Sequence, residues 1–203
     1  LLILVLVQTS LVLGQTSLKR IDLERGGFHV GFKHYLTTDS TRTYKRIYDW
    51  NNKSIPRPIP ISIWCPSDKT SDNTKPMNIL DYMEILKEEE EWEYLPNDQI
   101  LNWFYYPNNL ANQNHLGERT IAQYGIRSAE GTFPVVVYAP SYQASSIENF
   151  ALCEYLASHG YVVISSPSRG AENRFLEGGT PKDLETQARD IEFLIKEAQK
   201  LPY

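Results

Sequence analysis

The sequence predicts an α/β domain in which a mostly parallel sheet is flanked by helices, and three observations lead there. Two short runs, Val135 to Tyr138 and Tyr161 to Ile164, are apolar throughout, as strands covered on both faces require. A segment with helical apolar spacing follows each of them. The connections are short, and a strand–helix–strand–helix order with short links favours right-handed βαβ units. The 203 residues suffice for one domain with its own core. Hydrophobic residues make up 41% and charged residues 22%, an ordinary globular balance. A net charge of −5 argues against nucleic-acid or anionic-membrane partners.

Taken in order, the chain opens with LLILVLVQTSLVLGQTSLKR. The apolar run lacks an initiator Met and a basic start, and it ends in small residues near Gly14. Residues 1–17 read as a secretory signal peptide whose first residues are missing, which implies a secreted or periplasmic protein. The run is too short and too interrupted for a stable membrane span. No Cys follows Gly14, so no lipid anchor is expected. The domain itself is expected over 18–203.

His29 to Tyr44 is β-rich and reads as a strand, a turn at Thr38-Asp39-Ser40, and a second strand. Arg57-Pro58-Ile59-Pro60 leads into the alternating Ile61-Ser62-Ile63-Trp64, expected to be half-exposed and closed by Pro66. An Asn52-Lys53-Ser54 sequon precedes it. Residues 75–125 read as a helical insertion. Ile79, Leu80, Met83 and Leu86 recur at helical spacing, and the charged run Lys87 to Glu91 is expected to be a solvated helix face. Pro96-Asn97-Asp98 starts a second helix with Ile100, Leu101, Phe104 and Tyr105. The Asn-rich stretch 108–114 is expected to be a loop.

Beyond the strand at 135–138, Ser145 and Glu148 have the S-x-x-E form of a capping box. Phe150, Ala151, Tyr155 and Leu156 share a helix face, and Gly160 suits the left-handed residue after its end. Thr180-Pro181 supplies N-cap and N1 of a last helix with Leu184, Ala188, Ile191, Leu194, Ile195 and Ala198 inside.

Ligands of such sheets bind beyond the carboxyl ends of the strands, here loops 139–145 and 165–179. The first precedes a helix amino terminus, a setting that favours negative charge. Neither a G-x-G-x-x-G nor a G-x-x-x-x-G-K-[ST] motif occurs, which disfavours a nucleotide-binding protein. His29, His34, His115 and His159 are scattered, without metal-ligand spacing. Ser165, Ser166 and Ser168 are near His159 in sequence, but that histidine belongs to a helix end on the other side of the sheet. Cys65 and Cys153 read as buried thiols in separate elements rather than a bridge.

Three stretches carry a family likeness: FPVVVYAPSY from Phe133, NFALCEYLASHGYVVISSP from Asn149, and QARDIEFL from Gln187. They resemble the amino-terminal part of an α/β-hydrolase, and are most similar to dienelactone-hydrolase-like and platelet-activating-factor-acetylhydrolase-like enzymes. RPIPISIWCP, residues 57–66, resembles an early strand of that group. The resemblance implies a partial α/β-hydrolase fold and a serine hydrolase of carboxylic esters. It also implies a small-molecule or lipid-like ester substrate, and no cofactor or metal. In the family, the loop after the third strand supplies an oxyanion-hole amide. Tyr142 falls at that donor, with Ser141 where glycine is usual, and Ser141, Gln143 and Arg169 are expected to line the substrate site. Glu172 and Arg174 either line the substrate pocket or pair at the surface, and surface pairing is the favoured reading. The nucleophile of a G-x-S-x-G turn, the acid and the histidine would follow Tyr203. Residues 1–203 alone are therefore expected to be inactive, with an unpaired strand edge that lowers stability. The competing reading is an exported binding protein that keeps the scaffold without the triad.

Overall fold

The computed structural model describes residues 18, 23–68 and 74–201, so the expected signal peptide at 1–17 lies outside the described residues. Six strands are present: β1 His29–Lys45, β2 Ser54–Ser67, β3 Pro76–Asn78, β4 Arg119–Tyr124, β5 Val135–Tyr138 and β6 Val162–Ser165. The helices are α1 Ile79–Glu89, α2 Ile100–Trp103, α3 Leu110–Leu116, α4 Phe150–Ser158 and α5 Pro181–Ala198. The strands form one sheet in the order β3-β4-β1-β2-β6-β5.

The α/β class holds, and the sheet is mixed. Only β1–β4 and β5–β6 pair in parallel; β1–β2, β2–β6 and β3–β4 are antiparallel. Residues 46–53 are too few for a crossover helix, so they return the chain antiparallel to β1.

Alternation along β2 divides the core. Ile59, Ile61, Ile63 and Cys65 join Val162, Ile164 and Leu194 in a cluster completed by α5. Trp64 turns the other way, to Val30, Phe32, Tyr82, Cys153 and Ala157, under α1 and α4. Burying each such side chain stabilises the fold by roughly 1.5–3 kcal/mol. Cys65 and Cys153 are both buried, in different clusters. Burial pushes the Cys153 thiol up to about 12, Glu154 beside it adding to the rise.

Several expectations fail locally. β1 runs unbroken through 38–40; the sheet absorbs the irregularity as a register shift between Asp39 and Thr43, and the reversal comes at 46–53. β2 is not half-exposed: residues 59–67 are all buried, because the sheet continues on both sides and helices cover both faces. Within 75–125 the chain forms β3 and β4 as well as helices, and the Asn-rich stretch carries α3, capped by the Asn109 side chain on the Asn112 amide. The Thr180-Pro181 start of α5 forms as expected, and Gly160 adopts φ +92°. Among the described residues no helix is long and apolar enough to cross a membrane. Among the described residues β5 is the last strand of the sheet, and Val135 is half-exposed on it.

Candidate active site

Register sets one row of residues across four strands. His34 is opposite Ser62, Ser62 opposite Ser165, and Ser165 beside Tyr138. At this level β5 and β6 end and release the loops 139–145 and 166–179.

The first loop is stapled to the second by side chains. Gln143 donates Nε2 to the Arg174 carbonyl at 2.7 Å and accepts the Leu176 amide at Oε1 at 2.8 Å. The Tyr142 hydroxyl donates to the Leu176 carbonyl and accepts the Gly178 amide, both at 3.0 Å. The Ser168 amide reaches the Ala144 carbonyl at 2.9 Å. These ties hold Gln143 at φ +58°, a left-handed conformation that a non-glycine residue keeps only where its surroundings impose it.

The amides of the loop differ in fate. Ser141 donates its amide to the Glu148 carboxylate at 2.9 Å, and Ala144 donates to the Ser141 carbonyl at 3.1 Å. Among the described residues the Tyr142 and Gln143 amides have no partner. Two consecutive unpartnered amides beside a left-handed residue are a setting for an anion. Glu148 does not form the expected capping box. Its carboxylate accepts from Ser141 and from the Tyr138 hydroxyl at 3.1 Å, while Asn149 is the residue before α4. Partial burial would raise the Glu148 carboxyl, but the Ser141 and Tyr138 hydrogen bonds outweigh it and lower its pKa.

The expected substrate-site residues therefore part company. Tyr142 and Ser141 are exposed on the loop. Gln143 engages both ends of its amide with the facing loop rather than open space. Arg169 is buried at 5% exposure and donates to the Glu89 carbonyl, which withdraws it from a pocket wall. Arg174 is no surface pair either: it is buried, paired with Glu90, and its guanidinium lies 5.0 Å above Trp92 and 4.5 Å above Phe175. Glu172 does pair at the surface, with Lys182. A cavity of about 30 Å³ separates Ala139, Pro140 and Ser168 from Gln187 and Asp190 of α5, room for about a water molecule. His159 caps its own helix, its Nδ1 2.9 Å from the Tyr155 carbonyl.

A second constellation went unread in the sequence. Lys87, Glu89 and Glu91, expected to be solvated, are buried. Glu89 accepts from the Ser145 hydroxyl, the Ser146 amide and the Ser146 hydroxyl. The Ser146 hydroxyl lies 2.7 Å from that of Ser62, and Ser62 lies 2.9 Å from His34 Nδ1. Glu91 accepts from the Tyr44 hydroxyl at 2.8 Å and sits at φ +61°. Strand register brings His34 to Ser62, and the end of α1 carries Glu89 to Ser145 and Ser146; the one local hint is the pair Ser145-Ser146 at the end of the loop.

No family model matches this chain, and no curated protein does. Among solved structures it is similar to a ferulic acid esterase from Streptomyces cinnamoneus, with 21% identity and a TM-score of 0.52. The match covers 83% of this chain and 46% of the esterase, so the chain spans less than half of that enzyme's length. Over most of its residues, this chain shares the α/β fold of that esterase.

Proposed function

We propose that these residues form the oxyanion-binding side of a serine hydrolase of carboxylic esters. The observation that carries this reading is the unpartnered Tyr142 amide on a loop braced by Tyr142 and Gln143 at the carboxyl end of β5. A donor fixed before the reaction stabilises the tetrahedral oxyanion without reorganising during it. The acyl carbon would be attacked by a serine made nucleophilic by a histidine, both contributed by sequence outside these 203 residues. The substrate is a small-molecule ester, and no cofactor enters the chemistry. The similarity to a dienelactone-hydrolase-like or platelet-activating-factor-acetylhydrolase-like enzyme, and export of the protein, belong to this proposal too.

A specific observation favours the second reading, a binding protein without catalysis. The Glu148 carboxylate already takes the neighbouring Ser141 amide and brings negative charge close to the loop. The test is fluorophosphonate labelling and p-nitrophenyl acetate hydrolysis by the full-length protein. The hydrolase reading expects a labelled serine, and a loss in kcat on the order of 10²-fold in Tyr142→Pro, which removes the amide proton. Tyr142→Phe controls for the hydroxyl staples. Folded, unlabelled, inactive protein would establish the binding reading instead.

A further inference from the structure

The reversal between β1 and β2 holds a turn at 49–52. The Asn52 amide donates to the Asp49 carbonyl at 2.8 Å, and the Asp49 carboxylate accepts the Asn51 amide at 3.0 Å and the Lys53 amide at 3.3 Å. An aspartate that gathers the amides just after it fixes such a turn locally. Asn52 stands at φ +50°, a conformation that asparagine tolerates better than most residues. That accounts for the asparagine and leaves its neighbours unexplained. Trp50 is 99% exposed and, among the described residues, stacks on no other ring, although tryptophan is on average a strongly buried residue. Asn52, Lys53 and Ser54 are exposed as well. Among the described residues the side chains of Asn52 and Ser54 have no hydrogen-bond partner.

Asn52-Lys53-Ser54 is the one Asn-x-Ser/Thr triplet in the 203 residues, and its middle residue is not proline. The fold puts it on an exposed turn with its amide and hydroxyl groups both unspent, as a modified triplet requires. It also puts an uncovered aromatic face two residues before the acceptor, in the same turn. A pyranose ring presents a face of C–H groups, which suits the electron-rich face of an indole. A sugar joined to Asn52 thus finds in Trp50 an apolar surface that no side chain of the protein occupies.

We propose that Asn52 is the acceptor of an N-linked glycan and that Trp50 packs against its first sugar; the glycan rests on the export reading, because transfer takes place in a secretory lumen. The Asn52 amide nitrogen bonds to the anomeric carbon of a lipid-pyrophosphate-linked oligosaccharide. The bond from that carbon to the pyrophosphate breaks, the lipid pyrophosphate leaves with the electron pair, and the amide gives up one proton. The test expresses the full-length protein in a eukaryotic secretory host, once behind a supplied leader and once behind its own. Secreted protein is expected to carry a mass that peptide N-glycosidase removes, converting the Asn52 amide to a carboxyl group that peptide mapping locates. Ser54→Ala should abolish the modification and Ser54→Thr should keep it, and Asn52 stays in its turn in both. The glycosylated protein should melt about 2–4 °C above Ser54→Ala, and that gain should vanish when both carry Trp50→Ala. Folded protein secreted behind the supplied leader with Asn52 unmodified would overturn the site. An equal gain with and without Trp50 would overturn the packing. Retention behind the native leader, with Asn52 modified behind the supplied one, would overturn the export reading rather than the site.

Discussion

Residues 133–198 and residues 75–125 are built by different means. The first stretch is held by apolar period: continuous strands β5 and β6, and α5 with Leu194 in the core. The second is held by polar groups reaching across the chain. Tyr82 accepts from Trp64 Nε1 at 2.9 Å and donates to Glu154 at 2.8 Å, Lys87 donates to the Leu95 carbonyl at 2.8 Å, and Glu89 gathers Ser145 and Ser146. An apolar contact tolerates small changes of geometry, whereas a buried carboxylate that loses its donors is left with the full cost of its desolvation. The two stretches should therefore answer mutation differently, and the polar one should be the more brittle.

Glu89→Ala tests that contrast most sharply. It strips acceptors from the Ser145 hydroxyl, the Ser146 amide and the Ser146 hydroxyl at once, all of them buried. The expected loss is about 3–5 kcal/mol by denaturant unfolding of the full-length protein, because buried donors left without their acceptor cost about 1–3 kcal/mol each. Leu194→Ala in the apolar stretch should cost about 2–4 kcal/mol for a side chain of ordinary size. If Glu89→Ala proves milder than Leu194→Ala, the comparison is broken.

That contrast also explains what could be read beforehand. The strands at 135–138 and 162–165, the Thr180-Pro181 start of α5 and the left-handed Gly160 are written locally, in apolar runs and in residues with one conformational habit. Lys87 to Glu91 looked solvated because charge run and helix period say nothing about what lies 50 residues later in the chain. His34 and Ser62 meet only through the β1–β2 register, and the register follows from a reversal at 46–53 that the Thr38-Asp39-Ser40 stretch imitates. The 139–145 loop was placed correctly at a strand end, but its braces depend on side chains meeting backbone 30 residues away.

Gln143→Ala is the next test, and it sharpens the comparison within the apolar stretch, where this brace is one of several polar ties. It removes two side-chain–backbone hydrogen bonds and leaves a left-handed residue without its clasp. A loss of about 1–2 kcal/mol is expected. Gln143→Gly should recover part of it, since glycine enters that conformation freely. Thr180→Ala, by contrast, removes only the cap on the Asp183 amide and should cost about 1 kcal/mol.

The smallest effect lies outside both stretches, at the irregularity of β1. Burial by itself would raise the Asp39 carboxyl from its ordinary 3.8, but the Thr41 hydroxyl and amide and the Arg42 guanidinium outweigh it and hold it at about 2. A carboxyl whose pKa is lower in the folded state adds stability above its unfolded value, and that stability is lost as pH falls through the folded one. The contribution of Asp39 is thus complete near pH 5 and declines between about 4 and 2. Arg42 is shared with Asp190 at 2.7 Å, and the site is close to solvent, so the whole effect is on the order of 0.5 kcal/mol. Asp39→Asn should accordingly melt slightly below the parent at pH 5 and converge with it near pH 2. A difference that instead widens on acidification would mean that Asp39 is not the group β1 relies on at its register shift, and that the neighbouring Asp190 with Arg42 and Arg57 holds the ribbon alone.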